Sequence, residues 1–208
     1  MYSPVSTILN LSTSKSIVTI LFVWIATVAV AHPHVFMTTS SNLIFTKGHL
    51  QQIDIELYMD EMASLMLLQD YDKNENLLLD TNEVQFYQTY FEQFKDQNYL
   101  ADLRFDGHRL LIDQIKDLHF SWDGLQFKIT YSLIIDRVID QATVLEWTLY
   151  DDEYNNDLYF SSKSIKVEGL DFFSSSYDFV SEDETKAYYL QQIYPNVLRM
   201  NLKPKSDV

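Results

Sequence analysis

The sequence has no cysteine and little glycine or proline, and these absences exclude several classes of site. Its 208 residues include no Cys, four Gly and four Pro. Without cysteine the chain can form neither a disulfide nor a thiolate metal site, which argues against a small disulfide-framed secreted module. It also contains no glycine-rich phosphate-binding loop and no G-x-S-x-G nucleophile motif. We therefore predict that the protein is not an enzyme.

Basic residues are also scarce: 15 Lys and Arg stand against 30 Asp and Glu, for a formal net charge of −15. Nucleic acid and anionic lipid are poor partners for such a chain, because both require a basic surface. Cations are better partners. The alternative explanation of the acidity is that it serves solubility.

The chain has one long apolar run, at residues 17–31, which read IVTILFVWIATVAVA without a charge. A helix needs about 20 apolar residues to cross a bilayer comfortably. A shorter run after Lys15 that closes on Ala29-Val30-Ala31 is typical of a cleaved secretory signal. We predict a signal peptide over residues 1–31; an uncleaved anchor is the alternative. Both interpretations place the rest of the chain outside the cytoplasm, and cleavage would leave no membrane span.

The mature chain, residues 32–208, has the length of a single domain. Period-two alternation predicts a mainly antiparallel β body that resembles a sandwich, and a three-and-four spacing predicts two helices within it. We therefore predict an α+β protein with an inserted EF-hand-like helix-loop-helix at about 60–99. We expect a polar tail at 201–208. The predicted strands are 34–44, 50–58, 144–150, 157–161 and 164–167, with hairpins in 103–111 and 118–134, and the predicted helices are 60–70 and 84–99.

The loop between the helices, residues 72–83, reads DKNENLLLDTNE and matches much of the calcium-loop pattern. A hard cation prefers oxygen ligands, short side chains at alternate positions wrap it, and a long carboxylate closes the far side. The side chains at positions 1, 3, 5, 9 and 12 of that pattern are Asp72, Asn74, Asn76, Asp80 and Glu83. We predict a weak calcium site there.

Leu77 departs from the calcium-loop pattern, because the pattern has glycine at that position. A bulky side chain in the left-handed conformation costs about 1–2 kcal/mol, so millimolar affinity is expected. The alternative is a polar turn in which Asp80 caps the second helix and Glu83 closes a capping box.

Cleavage after Ala31 would give His32 a free α-amine, which can chelate a metal ion together with the imidazole of the same residue. His34 could supply another nitrogen. Nitrogen ligands suit copper, nickel and zinc rather than calcium. Pro33 blocks a square-planar site that would need the backbone nitrogen of the second residue. The alternatives are a flexible N-terminus that leads into an edge strand, and a copper redox enzyme.

Several segments together resemble the domain-of-unknown-function 1007 family. They are the start HPHVF at 32–36, the acidic helix-loop-helix at 58–83, and LRFDGHRL, SWDGLQFKITYSL and LYFSSKSIKVEG, in that order. The resemblance implies an exported, periplasmic protein of Gram-negative bacteria, described as a component of an uncharacterised ABC-type transport system. It also implies a link to nickel, cobalt or zinc transport, and hence an inner-membrane metal transporter as partner.

We therefore predict a periplasmic accessory protein that binds or delivers a transition metal, with His32 and His34 as ligands and a second, calcium-type site in the loop. The alternative function is a non-catalytic interaction or structural module whose only ion is a weakly bound calcium.

Overall fold

The computed structural model describes residues 35–76 and 80–206. The predicted signal peptide, His32, His34 and Leu77 lie outside these residues. Within the described part of the chain, no helix is both long and apolar enough to cross a membrane.

Strands dominate the described residues, and both α-helices described lie between the second and third strands. The strands are β1 Val35–Thr46, β2 His49–Met59, β3 Ala101–Phe105, β4 His108–Arg109, β5 Ile115–Trp122, β6 Phe127–Val138, β7 Thr143–Leu149, β8 Asn156–Tyr159, β9 Ile165–Glu168, β10 Phe173–Val180 and β11 Val197–Pro204. The helices are α1 Glu61–Tyr71 and α2 Thr81–Glu92. Short 3-10 helices occupy Gln93–Lys95, Asn98–Leu100, Ser162–Ser164, Leu170–Phe172 and Glu184–Lys186.

The first sheet has the order β5-β6-β2-β1-β8, and β9 also pairs with β1. The predicted alternation holds in β2, where Ile53, Ile55 and Leu57 are buried. β1 pairs in antiparallel fashion with β2 but in parallel with both β8 and β9. These two short parallel pairings are the departures from an otherwise antiparallel arrangement among the described strands.

The second sheet has the order β10-β11-β7-β3-β4 and is antiparallel throughout. The predicted tight turn at Asp106-Gly107 joins β3 to β4, with φ of 51° and 81° as a two-residue hairpin loop requires. Strands β10 and β11 were not predicted. Because β11 extends to Pro204, residues 201–204 belong to this sheet, whereas the sequence predicts a polar tail there.

Both sheets contribute to one hydrophobic core. Phe45 of β1 and Phe173 of β10 meet with ring centroids 5.7 Å apart, which joins the two sheets directly. Gly169 lies against the backbone of Phe45, and a Cβ atom on residue 169 would lie 1.8 Å from the carbonyl oxygen of Phe45. The φ of Gly169 is +78°. Only glycine can occupy that position without moving the strand.

The helices pack on the first sheet through one face each. Ser64 of α1 accepts a hydrogen bond at its Oγ from the backbone N–H of Phe127 at 2.9 Å. Tyr87 and Phe91 of α2 are buried, with Phe91 4.8 Å from the ring of Tyr131.

The second helix was predicted to reach residue 99 but ends at Glu92. Left-handed backbone at Asn98, Tyr99 and Leu100, with φ of 56–62°, turns the chain into β3. The mainly antiparallel α+β prediction is confirmed.

Candidate cation site between the two helices

The start of α1 is fastened to β1, and this contact positions the segment that follows. Asp60 is the N-cap: its carboxylate accepts from the backbone N–H of Ala63 and from that of Phe36, both at 3.0 Å. The Asp60 N–H donates in return to the carbonyl of Phe36 at 2.8 Å. One end of the helical hairpin is therefore held by the β body.

The loop begins where α1 ends, at Asp72. Its backbone N–H donates to the carbonyl of Leu68 at 2.7 Å, and the residue is 7% exposed. The N–H of Asn76 donates to Asp72 Oδ1 at 3.2 Å and to Asn74 Oδ1 at 3.0 Å. Asp and Asn side chains that accept from backbone N–H groups a few residues on stabilise tight turns. The first half of the loop therefore curls around its own side-chain oxygens.

Asp80 lies at the centre of the loop and joins its two halves. Its Oδ2 accepts from the side-chain amides of Asn74, at 2.5 Å, and Asn76, at 3.2 Å. Asp80 is also the N-cap of α2, as the capping interpretation predicts. The residues predicted at positions 1, 3, 5 and 9 are therefore linked in one hydrogen-bonded group, with Asp72 joined through the backbone N–H of Asn76.

Glu83 closes the loop from the first turn of α2. The residue is 4% exposed. Its Oε1 accepts from the backbone N–H of Lys73 at 2.9 Å, and its Oε2 accepts from that of Asp80 at 3.0 Å. The second bond completes the predicted capping box. One buried carboxylate thus spans both ends of the loop.

The loop, residues 72–83, carries four acidic side chains and one basic one. No Lys, Arg or His among the described residues forms an ion pair with Glu83. Lys73, the one basic residue of the loop, directs its ammonium to the backbone carbonyl of Asp70 at 2.8 Å. Burial, followed by the nearby charges of Glu83 and Asp72, raises the pKa of Tyr87 to about 12. The loop therefore creates a negative electrostatic potential at the edge of the core.

The oxygen donors of the loop suit a hard cation, but the side chains are not arranged around a common coordination point. Asp72, Asp80 and Glu83 offer carboxylate oxygens, and Asn74 and Asn76 offer amide oxygens. Across residues 35–76 and 80–206, no group of three or more His, Cys, Asp or Glu side chains is arranged to hold a metal ion. The two amides turn their nitrogens toward Asp80, so a cation would require them to present oxygen instead.

A family model described as protein of unknown function (DUF1007) matches residues 17–193, which is most of the chain. The chain belongs to the DUF1007 family. The resemblance carried by HPHVF and the helix-loop-helix is thereby confirmed. A search of the curated proteins finds no match to this DUF1007 protein.

The remaining histidines of this DUF1007 protein lie apart from one another. His49 of β2 has its Nδ1 3.4 Å from an exposed carboxylate oxygen of Asp136. His108 and His119 are exposed on β4 and β5, in different sheets.

The residue that follows His34 lines an acidic cavity. Val35 donates its backbone N–H to the carbonyl of Asn155 at 3.3 Å. Its side chain helps to line a cavity of about 430 Å³ that also carries Asp96, Asp151 and Glu153. Asp151 is fully buried and accepts from the backbone N–H groups of Glu153 and Asn156 at 2.9 and 3.0 Å.

Sequence reasoning missed two buried ion-pair networks in the second sheet. In one, Asp102 accepts from Arg104 Nε at 2.9 Å and from the hydroxyl of Tyr150 at 3.1 Å. In the other, Glu146 accepts from Lys186 Nζ at 2.6 Å and from Arg199 Nε at 3.0 Å. The partners of Glu146 lie 40 and 53 residues away along the chain, so no local pattern could have revealed them.

Proposed function

We propose that this protein is an exported, non-catalytic protein whose loop 72–83 binds a divalent cation of the calcium type in an EF-hand-like manner. The observation that supports the proposal is that all five predicted residues belong to one hydrogen-bonded group. In it the amides of Asn74 and Asn76 donate to Asp80. The carboxylates of Asp72 and Glu83 accept from backbone N–H groups of the loop. Glu83 is buried and forms no ion pair with a basic side chain among the described residues, and a cation would compensate its charge. In this role the cation fixes α1 against α2.

The affinity should be weak. Three of the five ligands are carboxylates, and each would exchange an internal hydrogen bond for a bond to the cation. Sites of extracellular modules have dissociation constants of about 10⁻⁴ to 10⁻³ M. Calcium at about ten times such a constant would stabilise the fold by about 1.4 kcal/mol. For a domain of this length, that corresponds to a rise of about 3–6 °C in Tm.

The test is thermal unfolding of the exported protein in chelator and then in calcium chloride up to about 10 mM, which exceeds the expected dissociation constant. Glu83→Gln keeps the shape of the side chain and removes its charge, so it should abolish the rise in Tm. Glu92→Gln, an exposed site in the last turn of the same helix, is the matched control and should keep it. No rise in the parent protein, or an equal rise in Glu83→Gln, would rule out the site.

A second candidate function is transition-metal handling, and the position of Val35 favours it. Val35, the residue after His34 in the sequence, lines the cavity that also contains Asp96 and Glu153. Imidazole and amine nitrogens beside carboxylates suit nickel, cobalt, zinc or copper. In this proposal the protein is periplasmic and delivers its ion to an inner-membrane metal transporter.

Native mass spectrometry of protein from a periplasm, with no tag at its N-terminus, tests this second function. The expected species begins at His32 and retains one copper, nickel or zinc ion. His32→Ala with His34→Ala, or a one-residue extension before His32, should remove the ion, whereas His108→Ala should not. A species that begins at His32 and stays free of these metals at micromolar supply would contradict transition-metal handling.

A further inference from the structure

Helix α1 exposes an apolar face to solvent. Met62, Leu65 and Met66 are 74%, 55% and 61% exposed and, at spacings of three and four, share one side of the helix. We name these three residues the α1 face. The opposite side of the helix is also largely apolar and is buried, through Ala63, Leu67 and Leu68 among others.

A helix that is apolar on both sides is usually buried on both sides. Solvent-facing positions of a surface helix normally carry polar side chains, but α1 places two methionines and a leucine there. Methionine is used at binding surfaces because its unbranched thioether adapts to different partners.

The charge around the α1 face has one sign. Residues 60–92 contain eight acidic side chains and one basic one, Lys73. Glu61 and Asp70, at the two ends of α1, are exposed. The acidic residues of this stretch are Asp60, Glu61, Asp70, Asp72, Glu75, Asp80, Glu83 and Glu92. A partner that covers the face must therefore be basic at its rim.

We propose that the α1 face docks a basic amphipathic helix of a partner protein. Apolar side chains of that helix, repeated every three and four residues, would pack on Met62, Leu65 and Met66, as in helix-in-groove recognition. Its Lys and Arg side chains would lie beside Glu61 and Asp70. This docking needs neither cation site, so it goes beyond the proposed function.

Charge complementarity decides between the occupants. A second copy of this chain would bring two acidic hairpins together, and juxtaposed like charges oppose association. A bilayer with anionic headgroups attracts basic segments and repels acidic ones. A basic helix meets both requirements of the surface, the apolar contact and the opposite charge.

The test measures binding of a fluorescent synthetic helix with Leu on one face and Lys elsewhere, by anisotropy, to the whole mature protein in chelator and in calcium. A second peptide with Glu in place of every Lys should bind at least about tenfold more weakly. The triple variant Met62→Gln, Leu65→Gln, Met66→Gln should weaken binding of the Lys peptide by about tenfold or more. Its urea midpoint should match the parent's, because the three side chains are exposed.

The control is Leu111→Gln with Leu190→Gln, which removes two apolar side chains that are 73% and 77% exposed elsewhere on the molecule. Binding should be unchanged. Equal affinity of the triple variant and the parent, or of the two peptides, would overturn the proposal. A dimer in light scattering that the triple variant loses would assign the face to a second copy instead. Binding to phosphatidylglycerol vesicles that the variant loses would assign it to a membrane.

Discussion

Carboxylates are buried in two regions of this protein, the second sheet and the helical hairpin, and their charge is compensated differently in each. In the sheet, Asp102 is 2% exposed and contacts the guanidinium of Arg104 through both its oxygens. Glu146 contacts Lys186 through Oε2 and Arg199 through Oε1. In the hairpin, Glu83 accepts from backbone N–H groups alone among the contacts described.

The difference shows which region is self-sufficient. A buried carboxylate that faces a cationic side chain carries its own counter-charge, and its removal leaves the partner uncompensated. A buried carboxylate held by two amide dipoles is satisfied as a hydrogen-bond acceptor but not neutralised. The buried carboxylates of the sheet therefore have counter-charges within the protein, whereas under our proposal an external cation would supply the counter-charge of Glu83. The same hairpin also carries the apolar α1 face, which acidic residues surround.

The largest expected effect is on the sheet. Asp102→Ala should lower the free energy of unfolding by about 3 kcal/mol, because it leaves Arg104 and the buried Tyr150 without their acceptor. Urea denaturation in chelator measures this loss. Asp140→Ala removes an exposed carboxylate and should change stability by less than about 0.5 kcal/mol. A loss below about 1 kcal/mol in Asp102→Ala would remove the distinction between the two regions.

A smaller effect is expected in the hairpin without calcium. Glu83→Gln should cost about 1–2 kcal/mol in chelator. The amide oxygen keeps one of the two backbone N–H donors satisfied and the amide nitrogen leaves the other unpaired, while the loss of one negative charge from the loop offsets part of the cost. With calcium present, the difference from the parent should widen, because only the parent gains stability from the ion. Urea midpoints in the two buffers measure both values. A larger cost in chelator than in calcium would reverse the assignment.

The smallest expected effect is a change in pH dependence. Burial opposes ionisation of Glu146, but the hydrogen bonds and charges of Lys186 and Arg199 outweigh it, so its pKa lies below the ordinary 4.5. A lowered folded pKa contributes stability above the unfolded pKa, and that contribution is lost as pH falls through the folded pKa. Below about pH 4.5, stability should therefore fall less steeply in Glu146→Gln than in the parent. Parallel curves of urea midpoint against pH would show that the ion pairs contribute nothing.

Local pattern predicted much of the fold. The alternation in β2, the Asp106-Gly107 turn and the N-cap at Asp80 each depend on a few neighbouring residues, so sequence alone identifies them. The same holds for the loop: a single turn of chain brings Asp72, Asn74, Asn76, Asp80 and Glu83 together. Strands β10 and β11 were not predicted, because three serines, Tyr177 and Asp178 occupy the middle of β10 and polar residues lie near the end of β11.

The sequence by itself determined the α+β class, the acidic character and the set of oxygen-bearing side chains between the helices, since each follows from composition or from spacing over a few residues. Only the tertiary structure decided the parallel pairing of β1 with β8 and β9, and the ion pairs of Glu146. Packing between distant segments selects those partners. The tertiary structure also decided which side of α1 is exposed. The helix is apolar on both sides, and its contact with β6 determines which side is buried.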